Sequence, residues 1–142
     1  MANSFTCNIV SAEDSIFSGT VEMVVAAGIM GDLGILPGHT PLLTELQPGP
    51  VRVIHDDGKE ENFFVSGGFM EVQPDVVTIL ADAAARASDL DEAAAEEARQ
   101  QALKAFNEKS AELDYTRAAA ELAEAVAQLR TIQQLRKKAG EG

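Results

Sequence analysis

From Phe5 to Leu80 apolar and polar residues alternate in short runs broken by glycine, proline and aspartate, the period-two pattern of half-buried strands. Residues 5–10 alternate and end in a polar turn over 11–15, and Ile16 and Phe17 precede a second turn at Ser18 and Gly19. Residues 21–27 are strand-like. Residues 51–56 and 62–66 flank Asp57-Gly58, a strong hairpin signal, and residues 69–73 and 76–80 flank a second reversal at Pro74-Asp75. Gly67 and Gly68 predict a bulge or corner. Short strands recurring with turns predict an antiparallel sandwich or flattened barrel.

After Leu80 the pattern changes. Nine of eleven glycines and all five prolines lie before that point, whereas nineteen of twenty-three alanines lie after it. Alanine is the strongest helix former, so this region predicts helix. Asp89 is placed to cap a first helix, with Glu92 reaching back to it. Ala95, Ala98, Ala102 and Ala105 then share a face, with Leu103 and Phe106 beside them. Residues 107–110 form a polar link, Asp114 caps a second helix, and Ala118, Leu122, Val126, Leu129 and Ile132 make its apolar stripe. The boundaries predicted are a strand domain over 1–86 and an antiparallel helical hairpin over 87–142, with helices at about 90–106 and 114–137. A seam made largely of methyl groups buries little area, at roughly 25 cal/mol per Å². It suits either a static brace or a part that takes up a second arrangement.

Residues 28–41 (GIMGDLGILPGHTP) concentrate glycine and proline in an apolar setting and predict a shaped loop. Ile35, Leu36, Leu42 and Leu43 are expected to anchor it inward, leaving Asp32 and His39 facing out. No Gly-Lys-Ser/Thr follows these glycines, and Pro37, Gly38 and Pro41 oppose the helix that a dinucleotide fingerprint opens.

The net charge of −12 disfavours nucleic acid and anionic membrane surfaces as partners. The start of the chain lacks the pattern of a signal peptide, and its apolar runs are too short to insert in a bilayer. The single cysteine, Cys7, rules out an internal disulfide and sits in an alternating strand, where a small buried apolar role is expected. With two histidines and one cysteine, no all-His/Cys metal site can be assembled, and there is no serine-nucleophile elbow. No catalytic residue, metal site or cofactor is expected.

Residues 34–43 (GILPGHTPLL), 64–72 (FVSGGFMEV) and 77–82 (VTILAD), followed by 89–92 (DLDE), 114–115 (DY) and 127–130 (AQLR), resemble the epsilon subunit of the bacterial F-type ATP synthase, in order and over nearly the whole chain. The resemblance implies a ten-stranded antiparallel β-sandwich followed by a helical hairpin. It implies a non-catalytic subunit of the central rotor stalk that joins the gamma subunit to the c-ring and couples proton flow to ATP synthesis. The location it implies is peripheral, on the cytoplasmic face of the bacterial inner membrane. Asp32 and His39 would then face c-subunit loops. In many members the hairpin extends along gamma toward the alpha and beta subunits and restrains ATP hydrolysis, a role that a basic tip of Arg130, Arg136, Lys137 and Lys138 fits. The same basic residues also complement the helix dipole, a sufficient explanation by itself.

Some members bind ATP through a Leu/Ile-Asp-x-x-Arg-Ala motif. The matching positions here are Leu90, Asp91, Ala94 and Ala95, with alanine where the motif has its phosphate-pairing arginine. Weak or absent ATP binding is expected. A free-standing ATP-sensing module is the alternative reading, and a small enzyme with a polar pocket is a third.

Overall fold

The computed structural model describes residues 3–107 and 112–141, and side chains within 3–104 and 116–137. The chain divides into two compact units, Met1–Arg86 and Ala87–Gly142.

The first unit is built from β1 (Phe5–Ser11), β2 (Ser15–Val21), β3 (Met23–Gly28), β4 (Gly31–Ile35), β5 (Leu42–Ile54), β6 (Glu60–Val65), β7 (Gly68–Val72), β8 (Val76–Ala81) and β9 (Ala84–Arg86). One layer runs β2-β1-β8-β7 and ends on the first limb of β5, where Leu42–Leu46 pairs with β7. The other contains β4, β3, the second limb of β5, β6 and β9. The long β5 therefore belongs to both layers and turns the corner between them at residues 47–50 (QPGP). Nine strands are hydrogen-bonded together, or ten when the limbs of β5 are counted separately.

Proline cannot donate to a ladder and tolerates the break. Gly49 is needed at the corner because a Cβ there would lie 2.9 Å from the Cβ of Ala27. The second corner is tighter. Gly68 has φ of +137°, and a Cβ would come within 2.1 Å of the Leu80 carbonyl oxygen, which accounts for the paired glycines.

One pairing departs from the antiparallel expectation: β1 and β8 run parallel, Cys7 opposite Val77 and Ile9 opposite Ile79. Strands so far apart in sequence need no hairpin between them, so a parallel pairing is open to them. Both bury one face in the common core. Phe5, Cys7 and Ile9 of β1, Val77 and Ile79 of β8, and Met70 and Val72 of β7 meet Val24, Val51, Val53, Phe63 and Val65 of the opposite layer, all buried. Cys7 is fully buried within this apolar set, which pushes its thiol up to about 12.

The second unit opens with a 3-10 turn, Ala87–Asp89, followed by α1 (Glu92–Asn107) and α2 (Glu112–Glu141). Asp91, rather than Asp89, caps α1: its carboxylate accepts from the Ala94 amide at 3.2 Å. Asp89 is taken up by the 3-10 turn, whose Ala87 carbonyl accepts from Leu90 N–H. The helix accordingly starts two residues later than expected.

The seam follows a seven-residue spacing. Ala95 and Ala102 of α1, and Ala118, Ala125 and Ile132 of α2, are buried. Ala127 and Thr131 are buried too, but on the opposite side of α2 from that stripe. The Thr131 hydroxyl donates to the Ala127 carbonyl at 2.9 Å, which satisfies it inside the helix. Val126, expected on the stripe, is 38% exposed, because successive steps of four residues each drift about 40° around a helix. Ala98 likewise lies on an exposed flank, where it lines a shallow cleft of about 240 Å³ with Gln101, Glu121, Glu124, Ala125 and Gln128. The expected roles of Ala105, Phe106 and Asp114 and the turn at 107–110 fall outside the described side chains.

Candidate interaction surface

A strand that buries one face normally presents polar side chains on the other. The layer containing β7 and β8 does so only in part. Outward-facing Phe69 on β7 pairs with Leu80 on β8 and Glu45 on β5, and Leu80 pairs in turn with Val10 on β1. One row along, Leu43 pairs with Glu71, which pairs with Thr78. Phe69 is 49% exposed, Leu80 53% and Leu43 67%, so large apolar side chains interrupt the polar solvent side of this sheet. Large contiguous apolar patches rimmed by polar groups mark docking surfaces. The signal is present in the sequence, because Phe69-Met70 and Ile79-Leu80 place apolar residues on both parities of short strands.

The glycine-rich stretch 28–41 is three structures. Gly28 pairs with Gly31 around a two-residue tip, Ile29 and Met30, and the Ile29 amide donates to the Glu45 carbonyl at 3.2 Å. Met30 is 93% exposed and Ile29 52%. Strand β4 follows, with Asp32 exposed beside the tip. The remaining loop, 36–41, is tied by the Gly38 amide to the Pro74 carbonyl, in the β7–β8 turn. His39 sits in that loop, half-buried, its Nδ1 2.7 Å from the Thr40 carbonyl oxygen.

Register then separates the two residues expected to act together. The tip lies at the end of the sandwich where Gly28, Leu46, Gly68 and Ala81 align. His39 lies at the other end, with the β7–β8 turn, and β4 alone spans roughly 13 Å between tip and loop. Of the four residues expected to anchor the stretch, only Ile35 is buried. Leu36, Leu42 and Leu43 are exposed, because β4 ends at Ile35 and the chain crosses to the opposite layer before β5 begins.

Among the other sequence-derived candidates, Leu90 is half-buried, Asp91 is spent as the α1 cap, Ala94 is exposed and Ala95 lies in the helix seam. Arg130 and Lys137 are exposed, and the side chain of Lys138 lies outside the described residues. Arg136 is engaged: its guanidinium forks onto the Glu92 carboxylate, with one nitrogen close to Oε2 and the other 3.5 Å from Oε1.

A cluster not anticipated from sequence joins β2, β6, β9 and the residue just after β5 at the end of the first unit. Glu61 accepts from Arg86 at 2.8 Å through Oε1 and lies 2.7 Å from His55 Nε2 through Oε2. Arg86 also sits 5.3 Å from the centre of the Phe63 ring, and its second guanidinium nitrogen reaches the Ile16 carbonyl. Partial burial pushes the Glu61 carboxyl up, but the His55 and Arg86 hydrogen bonds and charges outweigh it and hold the group below its ordinary range.

Among the described residues, no group of three or more His, Cys, Asp or Glu is arranged to hold a metal ion. No helix there is long and apolar enough to cross a membrane.

A strand-built sandwich with apolar side chains exposed on one outer face, followed by a long-helix unit, defines a two-domain protein. The family model for the ATP synthase delta/epsilon chain β-sandwich domain matches residues 4–87, and that for the delta/epsilon chain long α-helix domain matches residues 88–133. The chain is 73% identical over 135 residues to the ATP synthase epsilon chain of Chromohalobacter salexigens, covering 95% of this chain and 96% of that one. The chain belongs to the delta/epsilon chain family of ATP synthase. Members of this family are non-catalytic parts of that complex, not free-standing enzymes.

The fold is also similar to a chain in the Euglena gracilis mitochondrial ATP synthase OSCP/F1/c-ring structure, with TM-score 0.82 and 21% identity over 89% of this chain and 80% of that one. A chain of the Tetrahymena thermophila mitochondrial ATP synthase central stalk and c-ring is similar at TM-score 0.60 and 14% identity, covering 90% of this chain and 96% of that one.

Proposed function

We propose that the chain works as a central-stalk subunit of a bacterial F-type ATP synthase, joining gamma to the c-ring and so coupling proton transport to ATP synthesis. It would sit peripherally on the cytoplasmic face of the inner membrane. The observation that carries this reading is the set of exposed apolar side chains Leu43, Phe69 and Leu80 on the solvent side of one sheet. Gamma is its occupant: a rotor subunit must turn with the shaft, and a broad apolar contact resists shear without needing one exact ionic register. The protruding tip of Ile29 and Met30, with Asp32 beside it, faces the polar loops of the c-ring. His39, at the opposite end, takes no part in that contact.

The helical unit supplies regulation. Its alanine seam lets the two helices separate, with α2 reaching along gamma toward the alpha and beta subunits and restraining hydrolysis.

Replacing both Phe69 and Leu80 by Glu tests the gamma assignment. Both side chains already face water, so the isolated chain keeps its circular dichroism and melting temperature. Half-exposed side chains of this size contribute roughly 2–3 kcal/mol together on full burial, so affinity for gamma falls by about thirtyfold or more. Undiminished co-purification with gamma removes this face from the contact.

A further inference from the structure

The two helices of the second unit meet through small residues. The buried residues of the seam are Ala95 and Ala102 on α1 and Ala118, Ala125 and Ile132 on α2, with Ile132 the largest of them. Such a seam brings backbones close but removes little apolar area from water, so a polar tie has more leverage here than across a leucine-rich interface. One such tie joins positions 44 residues apart. Arg136 of α2 meets Glu92, the first residue of α1, through both guanidinium nitrogens and both carboxylate oxygens. Glu92 stands at the end of α1 farthest from the connection between the helices. A tie placed there has to part first when the pair opens, and it resists opening at the longest lever arm.

We propose that the Glu92–Arg136 fork is a salt-sensitive clasp that holds the helical hairpin closed. Arg136 therefore has two uses: bound to Glu92 it keeps the hairpin shut, and released it becomes a free cation for an acidic partner surface. This rests on the hinged behaviour proposed above and names the contact that controls it. Both side chains remain largely in water, so the clasp is weak by design and responsive to ionic strength. An apolar lock of the same span would be indifferent to salt.

The test uses the full chain with spin labels at Ala93 and Gln133, both exposed and near the clasp end, and reads their separation by pulsed electron resonance. Glu92→Gln and Arg136→Gln each raise the ratio of long to short distances by about two- to fivefold. The double variant does so no further than either single one, the signature of a shared contact. In about 1 M salt the wild-type chain matches the variants. A fourth chain, Ala125→Arg, forces a charge into the seam and opens the hairpin whatever the clasp does. If it populates long distances while Glu92→Gln matches wild type, the hinge stands and the clasp is overturned. If it too stays closed, the hinged reading fails and the clasp with it.

Discussion

Glu61 illustrates how a residue with no motif around it acquires a role. Its carboxylate holds His55 from the end of β5 and Arg86 from the end of β9, and Arg86 in turn covers the Phe63 ring. The last strand of the sandwich is thereby fastened where the chain leaves for its helices. Because the folded state holds the Glu61 carboxyl below its ordinary value of 4.5, its ionised form contributes stability above about that pH, and the contribution is lost as pH falls through the lowered value. The urea midpoint of the wild-type chain should exceed that of Glu61→Gln above pH 4.5, with the margin closing on further acidification. A margin independent of pH would mean that the carboxylate's charge contributes nothing. None of this was legible in the sequence, where the partners lie 6 and 25 positions from Glu61 and meet only through strand pairing. Asp32 and His39 were legible as polar groups in a special stretch, but register alone reveals that a strand divides them.

At the scale of elements, local signals located the strands and helices well. Asp57-Gly58 and Pro74-Asp75 both turn between paired strands, and Gly67-Gly68 marks a corner that no side chain fits. Where several residues competed for one role, local signals did less well. Asp89 and Asp91 both suit a cap, and the 3-10 turn consumes the first. Asp91→Ala should therefore cost the helical unit about 1 kcal/mol, read as a loss of helix signal at lower temperature, while Asp89→Ala should stay within about 0.5 kcal/mol. Equal losses would return the cap to the earlier residue. The parallel pairing of β1 with β8 was out of reach for another reason: alternation tells which face is buried but is silent on which neighbour a strand takes and in which direction.

For the whole molecule, the two compact units imply that one can be removed without unfolding the other. A chain ending at Ser88 should keep the sandwich folded and synthesis coupled while raising ATP hydrolysis by the assembled enzyme, measured as phosphate release. Unchanged hydrolysis would make the helices a passive brace. The sandwich also carries the chain's only sulfhydryl, Cys7, shut inside the core and shifted far from its reactive form. To maleimide dyes the native chain is accordingly blank. A fluorophore attached through one cysteine introduced on its surface would report from that position alone, so its movement could be followed without first stripping the natural thiol.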